Sequence, residues 1–163
     1  METNFAIYPS PLGFIRIEHR ASRLSALRIL EREPDEFGAR DTFCDMVYEQ
    51  LSEYFRGERR RFDIELDLSG CTPFQVKVYE QLLQIPYGQT SAYKQIAITV
   101  GNPNASRAVG GANNRNPIHI IIPCHRVIGA NGSLTGYASG VGVKESLLNL
   151  ESTAGRVLTR STR

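Results

Sequence analysis

Residues 90–116 read TSAYKQIAITVGNPNASRAVGGANNRN, and their punctuation decides what fold the second half of the chain adopts. Thr90 or Ser91 is placed to cap a short helix running to about Val100. The tetrad GNPN at 101–104 makes a tight turn. Asn104 then caps a second short helix with small residues down its length. Two short helices across a Gly-containing turn are the pattern of a helix-turn-helix. The second helix is odd for a core element. Gly110 and Gly111 each cost about 1 kcal/mol against Ala, and Arg107 is the only charge in ASRAVGGAN. Two readings stand: tight packing on a neighbouring helix with Arg107 in solvent, or a helix in a DNA groove with Arg107 reaching into the duplex.

Upstream, CTPFQVKVYEQLLQIPYGQ opens with Thr72 as an N-cap and Pro73 at the first helical position. Phe74, Val78 and Leu82 supply an apolar face, and Pro86 and Gly88 break the helix. Before this the pattern changes. FAIYPSPLGFIRIEH alternates apolar and polar residues around Pro-Leu-Gly, which reads as a hairpin, and RLSALRIL continues as a third strand. DTFCDMVYEQLSEYFRGE puts Phe43, Val47, Leu51 and Phe55 on one helical face and stops at Gly57. RRFDIELDLSG returns to period-two alternation, with Phe62, Ile64, Leu66 and Leu68 on one side, and predicts a further strand. The SGCTP turn marks a boundary. Residues 1–70 form an α/β N-terminal lobe of antiparallel sheet plus helix, and residues 71–163 a mainly helical second domain.

Downstream, residues 117–137 read PIHIIIPCHRVIGANGSLTGY. IHIII predicts a buried strand, which Pro123 ends or turns. GVGVKESLLNLE is a final helix, and the tail after it is polar. Cys124 and His125 leave the strand side by side. Either Cys124 is an inert buried residue, or it is a nucleophile and His125 its helper. A free thiol has a pKa near 8.5, so only about 3% is thiolate at pH 7, and nucleophilic use needs a base or a positive neighbour. Glu151 is the last acid of the chain and is available to orient the imidazole.

Composition narrows the function classes. The three cysteines, Cys44, Cys71 and Cys124, are too few and scattered for a disulfide framework. With His19, His119 and His125 they make no metal-ligand spacing, so no metal is expected. No signal peptide or membrane span is visible, and a soluble cytoplasmic protein is expected. The formal net charge of +2 is unevenly spread. Residues 1–70 hold ten Arg and fourteen Asp or Glu; residues 71–163 hold nine Lys or Arg and three Glu. A basic second half points to an anionic partner such as nucleic acid.

The stretch NPIHIIIPCHRVIGANGSLTGYASGVGVKESLLNLE resembles the active-site region of the O6-alkylguanine-DNA alkyltransferases, the methylated-DNA–protein-cysteine methyltransferases. Pro123, Cys124, His125, Arg126 and Val127 match the family's PCHRV hallmark, and PYGQTSAYKQIA and SRAVGGANNRNP match its helix-turn-helix at the right distances. The resemblance covers about residues 71–151; residues 1–70 share only length and the order of strands then helix.

That resemblance implies a winged-helix-like helix-turn-helix in the minor groove and an alkylated base flipped out of the stack, where a protein thiolate can reach it. It implies Cys124 as the alkyl acceptor, His125 as the group taking its proton through a water, Glu151 as the carboxylate holding the imidazole, and Asn116 as the brace of the active-site turn. Tyr93 donates to guanine N3 and crowds the phosphate. Arg107 fills the vacated space, while Ala105, Ser106, Ala108, Gly110 and Gly111 allow close approach. Pro123, Val127, Tyr137, Ala138, Ser139 and Lys144 line the substrate pocket, and Arg126 supports structure. No cofactor is needed, because the nucleophile is protein and the leaving group is guanine. The expected protein is a monomer, with cooperative binding on DNA left open, acting once on O6-alkylguanine and also on O4-alkylthymine. His119 departs from the small residue or Pro expected there, and the zinc-binding N-terminal domain of the larger regulatory members is not seen. Two rivals are a lesion reader without transfer, which would lack the cysteine, and a Cys-His hydrolase, which would leave ASRAVGGANNRNP without a purpose.

Overall fold

The Pro-Leu-Gly signal makes a two-residue hairpin between β1 (Asn4–Ser10) and β2 (Gly13–Arg20) in the computed structural model, which describes residues 2–132, 134, 137 and 140–154. The Ser10 hydroxyl donates to the Gly13 carbonyl at 2.6 Å and accepts from the Leu12 N–H at 3.1 Å. β3 (Arg23–Ile29) pairs antiparallel with β2, giving a sheet of order β1-β2-β3. The connecting turn places Ala21 and Ser22 at φ +49° and +61°, the backbone of a type I′ turn without its usual glycine. In β2, Ile15, Ile17 and His19 alternate inward as the period-two pattern requires.

α1 (Thr42–Phe55) packs on this sheet through Cys44, Val47, Gln50, Leu51 and Tyr54. The buried face is therefore turned by one position from the Phe43/Val47/Leu51/Phe55 face expected; Phe43 and Phe55 are half-buried. Asp41 caps the helix by accepting from the Cys44 N–H at 2.7 Å. Gly57, at φ +76°, closes the other end: its N–H reaches the Tyr54 carbonyl and the Glu58 N–H the Glu53 carbonyl. Gly38 is required where the chain crosses β1. Its φ is +68°, and a Cβ there would lie 2.2 Å from the Phe5 carbonyl oxygen.

Two predicted strands are not strands. In residues 59–69 only Leu66 bridges, to Leu24 of β3, while the Gln50 side chain clamps Asp63 by donating to its carbonyl at 3.2 Å and accepting its N–H at 2.9 Å. A side-chain amide takes the place of a ladder. In IHIII, Ile118 makes a single bridge to Leu27. The chain then turns sharply: the Ile121 N–H reaches the His119 carbonyl at 2.8 Å around Ile120, whose φ is +71°. That is the strained γ-turn geometry, rare for a β-branched residue and held here by full burial. Packing divides the chain into two compact units, Met1–Cys71 with Pro117–Ile121, and Thr72–Asn116 with Ile122–Arg163.

The second unit is mainly helical. α2 (Pro73–Leu82) begins with a reciprocal capping box between Thr72 and Gln75 and buries Val78, Tyr79 and Leu82. Ser91–Ala92 forms β4, which pairs in parallel with β5 (Val127–Ile128). α3 (Tyr93–Thr99) and α4 (Ser106–Asn114) follow, joined by a turn. Neither helix has the side-chain cap expected. Ser91 is drawn into the β4–β5 pair, so Ala92 stands at the N-cap of α3, and Ala105 rather than Asn104 stands at that of α4. Asn102 instead orders the turn by accepting the Asn104 N–H at 3.1 Å. The buried Tyr79 hydroxyl donates to the Ala112 carbonyl at 2.8 Å, tying α2 to α4. α5 (Val141–Ala154) packs against a 3₁₀ turn at Cys124–Arg126.

Candidate active site

Pro123 sets the position of the thiol. Its φ of −80° and ψ of 63° form an inverse γ-turn, closed by the Cys124 N–H to the Ile122 carbonyl at 2.7 Å. Cys124, His125 and Arg126 then coil into the 3₁₀ turn, all three buried. The side-by-side pair therefore does not sit on opposite faces of a strand. Asn116 holds both ends of the γ-turn: its Nδ2 donates to the Ile122 carbonyl at 2.8 Å and to Cys124 Sγ at 3.0 Å. Asn113, on the last turn of α4, donates from Nδ2 to the Cys124 carbonyl at 3.3 Å.

A buried network stands behind the thiol. His125 Nε2 meets Glu151 Oε2 at 2.7 Å. Arg126 donates to the same carboxylate from Nε at 2.8 Å and Nη2 at 2.9 Å, and from Nη1 to the Ile85 carbonyl at 2.7 Å. The Gly88 N–H adds a fourth donor to Glu151 at 3.3 Å. Burial alone would raise the Glu151 carboxyl, but the hydrogen bonds and charges of His125 and Arg126 outweigh it and hold the group at about 2. An ionised Glu151 only accepts, so His125 Nε2 carries the proton donated to it. His125 Nδ1 is then an unprotonated acceptor; it is buried and has no partner among the described residues. Burial also lowers the imidazole's pKa against the opposing pull of Glu151, which keeps it neutral.

Burial pushes the Cys124 thiol up to about 11, although Asn116, Lys144 and Tyr137 each pull it down. At neutral pH the sulfur holds its proton, and a base must take it. Lys144 is fully buried, its Nζ donating to the Val127 carbonyl and lying 6.0 Å from the centre of the half-buried Tyr93 ring. Tyr137 is buried, and burial, ahead of the neighbouring Cys124, raises its phenol. Pro123 and Val127 are buried beside the thiol in sequence. Ala138 and Ser139 lie outside the described residues.

On α4 the candidate residues divide. Arg107 and Ala108 are exposed, Ser106, Gly110 and Gly111 half-buried, and Ala105 is turned inward. A Cβ at Gly110 would meet nothing within 4 Å, so the protein's own packing does not require glycine there. Arg126 and Asn113 are the residues whose contacts went unread in the sequence. The hallmark motif singled out Arg126 without its partners, and nothing in the run NNRN separates Asn113 from its neighbours.

A buried, hydrogen-bonded thiol with a His–Glu pair behind it, on a unit that also presents a helix of small residues, defines a nucleophilic-cysteine protein with a nucleic-acid-binding helix pair. The family described as "6-O-methylguanine DNA methyltransferase, DNA binding domain" matches residues 73–153. A methylated-DNA–protein-cysteine methyltransferase of Methanosarcina acetivorans is 49% identical over 152 residues, which cover 90% of this chain and 97% of the relative. The crystal structure of a Mycobacterium tuberculosis O6-methylguanine methyltransferase superposes with a TM-score of 0.85 at 44% identity, over 94% of each chain. A structure of Mycobacterium tuberculosis OGT in complex with DNA gives 0.84 at 46% identity, over 92% of this chain and 93% of that one. The chain belongs to the methylated-DNA–protein-cysteine methyltransferase family.

Proposed function

We propose that this chain repairs DNA directly, by moving an alkyl group from O6-alkylguanine to the sulfur of Cys124 in a single, self-inactivating turnover. One observation carries the reading: a buried thiol stands beside a neutral His125 whose Nε2–H is spent on Glu151 and whose Nδ1 is left to accept a proton. In the reaction the bond from Sγ to the alkyl carbon forms as the O6–carbon bond breaks. The thiol proton passes through a water to Nδ1, and guanine departs with the electron pair, taking up at N1 a proton from solvent as His125 returns its own to solvent. Glu151 and Arg126 stabilise the imidazolium and hold the ring in one tautomer. The thioether has no easy route back, and no cofactor is required.

The base must leave the stack to reach a buried sulfur. We assign α3 and α4, as a winged-helix-like helix-turn-helix, to the minor groove. Arg107 fills the vacated space and Ala105, Ser106, Ala108, Gly110 and Gly111 permit close approach. The open space at Gly110 supports this, since DNA rather than protein would occupy it. Tyr93 donates to guanine N3, and Pro123, Val127, Tyr137 and Lys144 wall the pocket. Residues 1–70 serve as the N-terminal lobe, to which the Pro117–Ile121 segment also belongs, and the rest of residues 71–163 as the DNA-binding and acceptor domain. The protein acts in the cytoplasm as a monomer and also accepts O4-alkylthymine. No helix among the described residues is long and apolar enough to cross a membrane. Incubation with a duplex bearing radiolabelled O6-methylguanine tests the reading: the label is expected on Cys124, and unlabelled protein with intact lesion overturns it.

A further inference from the structure

The first unit gathers a histidine, an aspartate and a cysteine where the core meets the start of α1. His19, which β2 turns inward, is 4% exposed, and Cys44, in the first turn of α1, is fully buried. Asp41 caps the helix with Oδ1, which accepts the Cys44 N–H at 2.7 Å, and turns Oδ2 to His19 Nε2, also at 2.7 Å. One ligand atom from each side chain, an imidazole nitrogen, a carboxylate oxygen and a thiol sulfur, lies within 4.8 Å of the other two. Sequence spacing does not show the set, because His19 precedes Asp41 by 22 positions and is brought in by the pairing of β2. The groups are under-bonded where they stand. His19 Nδ1 is buried and has no hydrogen-bond partner among the described residues. The bond from Cys44 Sγ to the Ile17 carbonyl is long, at 3.9 Å. An unpaired buried polar group is destabilising, so its retention calls for a partner. A cysteine alone in a core serves as a small hydrophobe; this one shares its place with an imidazole and a carboxylate.

The donor set selects the ligand. Ca²⁺ and Mg²⁺ take oxygen ligands and do not suit a thiolate and an imidazole; sulfur, nitrogen and oxygen together suit Zn²⁺. We propose that His19, Asp41 and Cys44 form a zinc site, with one imidazole nitrogen, Asp41 Oδ2 and Cys44 Sγ as three ligands and a water as the fourth. The Asp41 side chain is 36% exposed, which gives the ion an entry path and leaves room for the water. Ligands around tetrahedral zinc stand about 3–4 Å apart, so the present separations of 2.7 to 4.8 Å close on the ion by shifts of about 1 Å. On binding, the thiol releases its proton to solvent. Thiolate and carboxylate then cancel the double charge of the ion, and the buried site stays neutral. The Phe43 ring, centred 4.5 Å from that of His19, shields the imidazole. The ion ties β2 to the N-terminus of α1 and takes no part at Cys124, which belongs to the other unit.

Cobalt tests the site. The full chain, reduced and treated with a chelator, is titrated with Co²⁺, which reports a thiolate ligand by a charge-transfer band and tetrahedral geometry by its visible spectrum. Wild type should develop both and lose them when Zn²⁺ is added, and Zn²⁺ should raise its urea midpoint. Asp41→Asn keeps a good N-cap but lacks the charge. Cys44→Ala keeps a small apolar group in the core. Each should weaken Zn²⁺ binding by about a hundredfold or more, since losing even a partner behind a ligand costs about 10–100-fold. Cys44→Ala should also abolish the charge-transfer band. A wild type without that band overturns the proposal. So does a band that survives in Cys44→Ala, which would put the ion on Cys71 or Cys124, and so does wild-type affinity in Asp41→Asn. If Cys44→Ala does not fold, Asp41→Asn alone decides.

Discussion

Arg126 and Glu151 form a two-pronged ion pair, and the carboxylate oxygen taken by Nη2 at 2.9 Å is the one that His125 reaches at 2.7 Å. The carboxylate that orients the base is therefore already neutralised by a guanidinium. His125 is steadied without being made strongly basic, which suits a group that must start neutral and accept a proton. Glu151→Gln should weaken both arms. Breaking a buried ion pair by removing one partner costs about 3–5 kcal/mol, to be read from urea unfolding. The folded fraction should transfer about a hundredfold more slowly, the size of a general-base contribution. Wild-type transfer by a stably folded variant would exclude the relay.

Cys124→Ser should abolish transfer, because a serine hydroxyl is hardly ionised at neutral pH. Duplex affinity should persist, since phosphate contacts position the protein without the thiol. Peptide mapping of labelled wild type checks the same point, and label on Cys44 or Cys71 would refute the assignment.

Arg107→Ala should cost about 2 kcal/mol on duplex substrate, or about thirtyfold in rate, if the guanidinium offsets the unstacking of the flipped base. A free base such as O6-benzylguanine needs no flipping and should react with the variant at close to the wild-type rate. Equal slowing of both, with a lower melting temperature, would make Arg107 structural. A fall in duplex affinity and salt slope alone would make it a phosphate contact.

Acid should weaken the fold in two stages. Burial lowers the His125 pKa, so the unfolded chain binds the extra proton first, and stability is lost as pH falls below the ordinary histidine value of about 6.5. The folded Glu151 carboxyl lies at about 2, below its ordinary 4.5, so its contribution is full above 4.5 and lost as pH falls from there towards about 2. Urea midpoints measured from pH 7 to pH 3 should decline throughout, and Glu151→Gln should flatten the lower stage.

Gly38→Ala should destabilise by about 3 kcal/mol, because the new Cβ meets the Phe5 carbonyl at 2.2 Å and the backbone stays at φ +68°. Gly110→Ala meets nothing within 4 Å and should leave the melting temperature within about 2 °C while weakening duplex binding. A thermal melt and a binding isotherm on each variant separate the two glycines.

Much of this was legible in sequence. The alternation of β2, the Thr72–Pro73 helix start, the two short helices and the PCHRV motif all depend on residues close in the chain, where steric preference and side-chain period act locally. Tertiary structure decided what locality cannot. IHIII has the composition of a strand, yet after the Leu27 bridge it is folded into a γ-turn at Ile120, because burial of each isoleucine offsets the strain. RRFDIELDLSG has the period of a strand, yet its Asp63 is held by the Gln50 side chain, a residue thirteen positions away. Thr90 and Ser91 are good caps that do not cap α3, since pairing of β4 with β5 placed its start beyond them, and Asn104 stands one residue before Ala105, the N-cap of α4. The site follows the same division. Cys124 and His125 are named by their motif, but only packing could bring Glu151, twenty-six residues on, to the imidazole and leave His125 Nδ1 buried without a partner among the described residues. Hydrogen-bond satisfaction is a property of the folded interior, and no local pattern records which atom is left over.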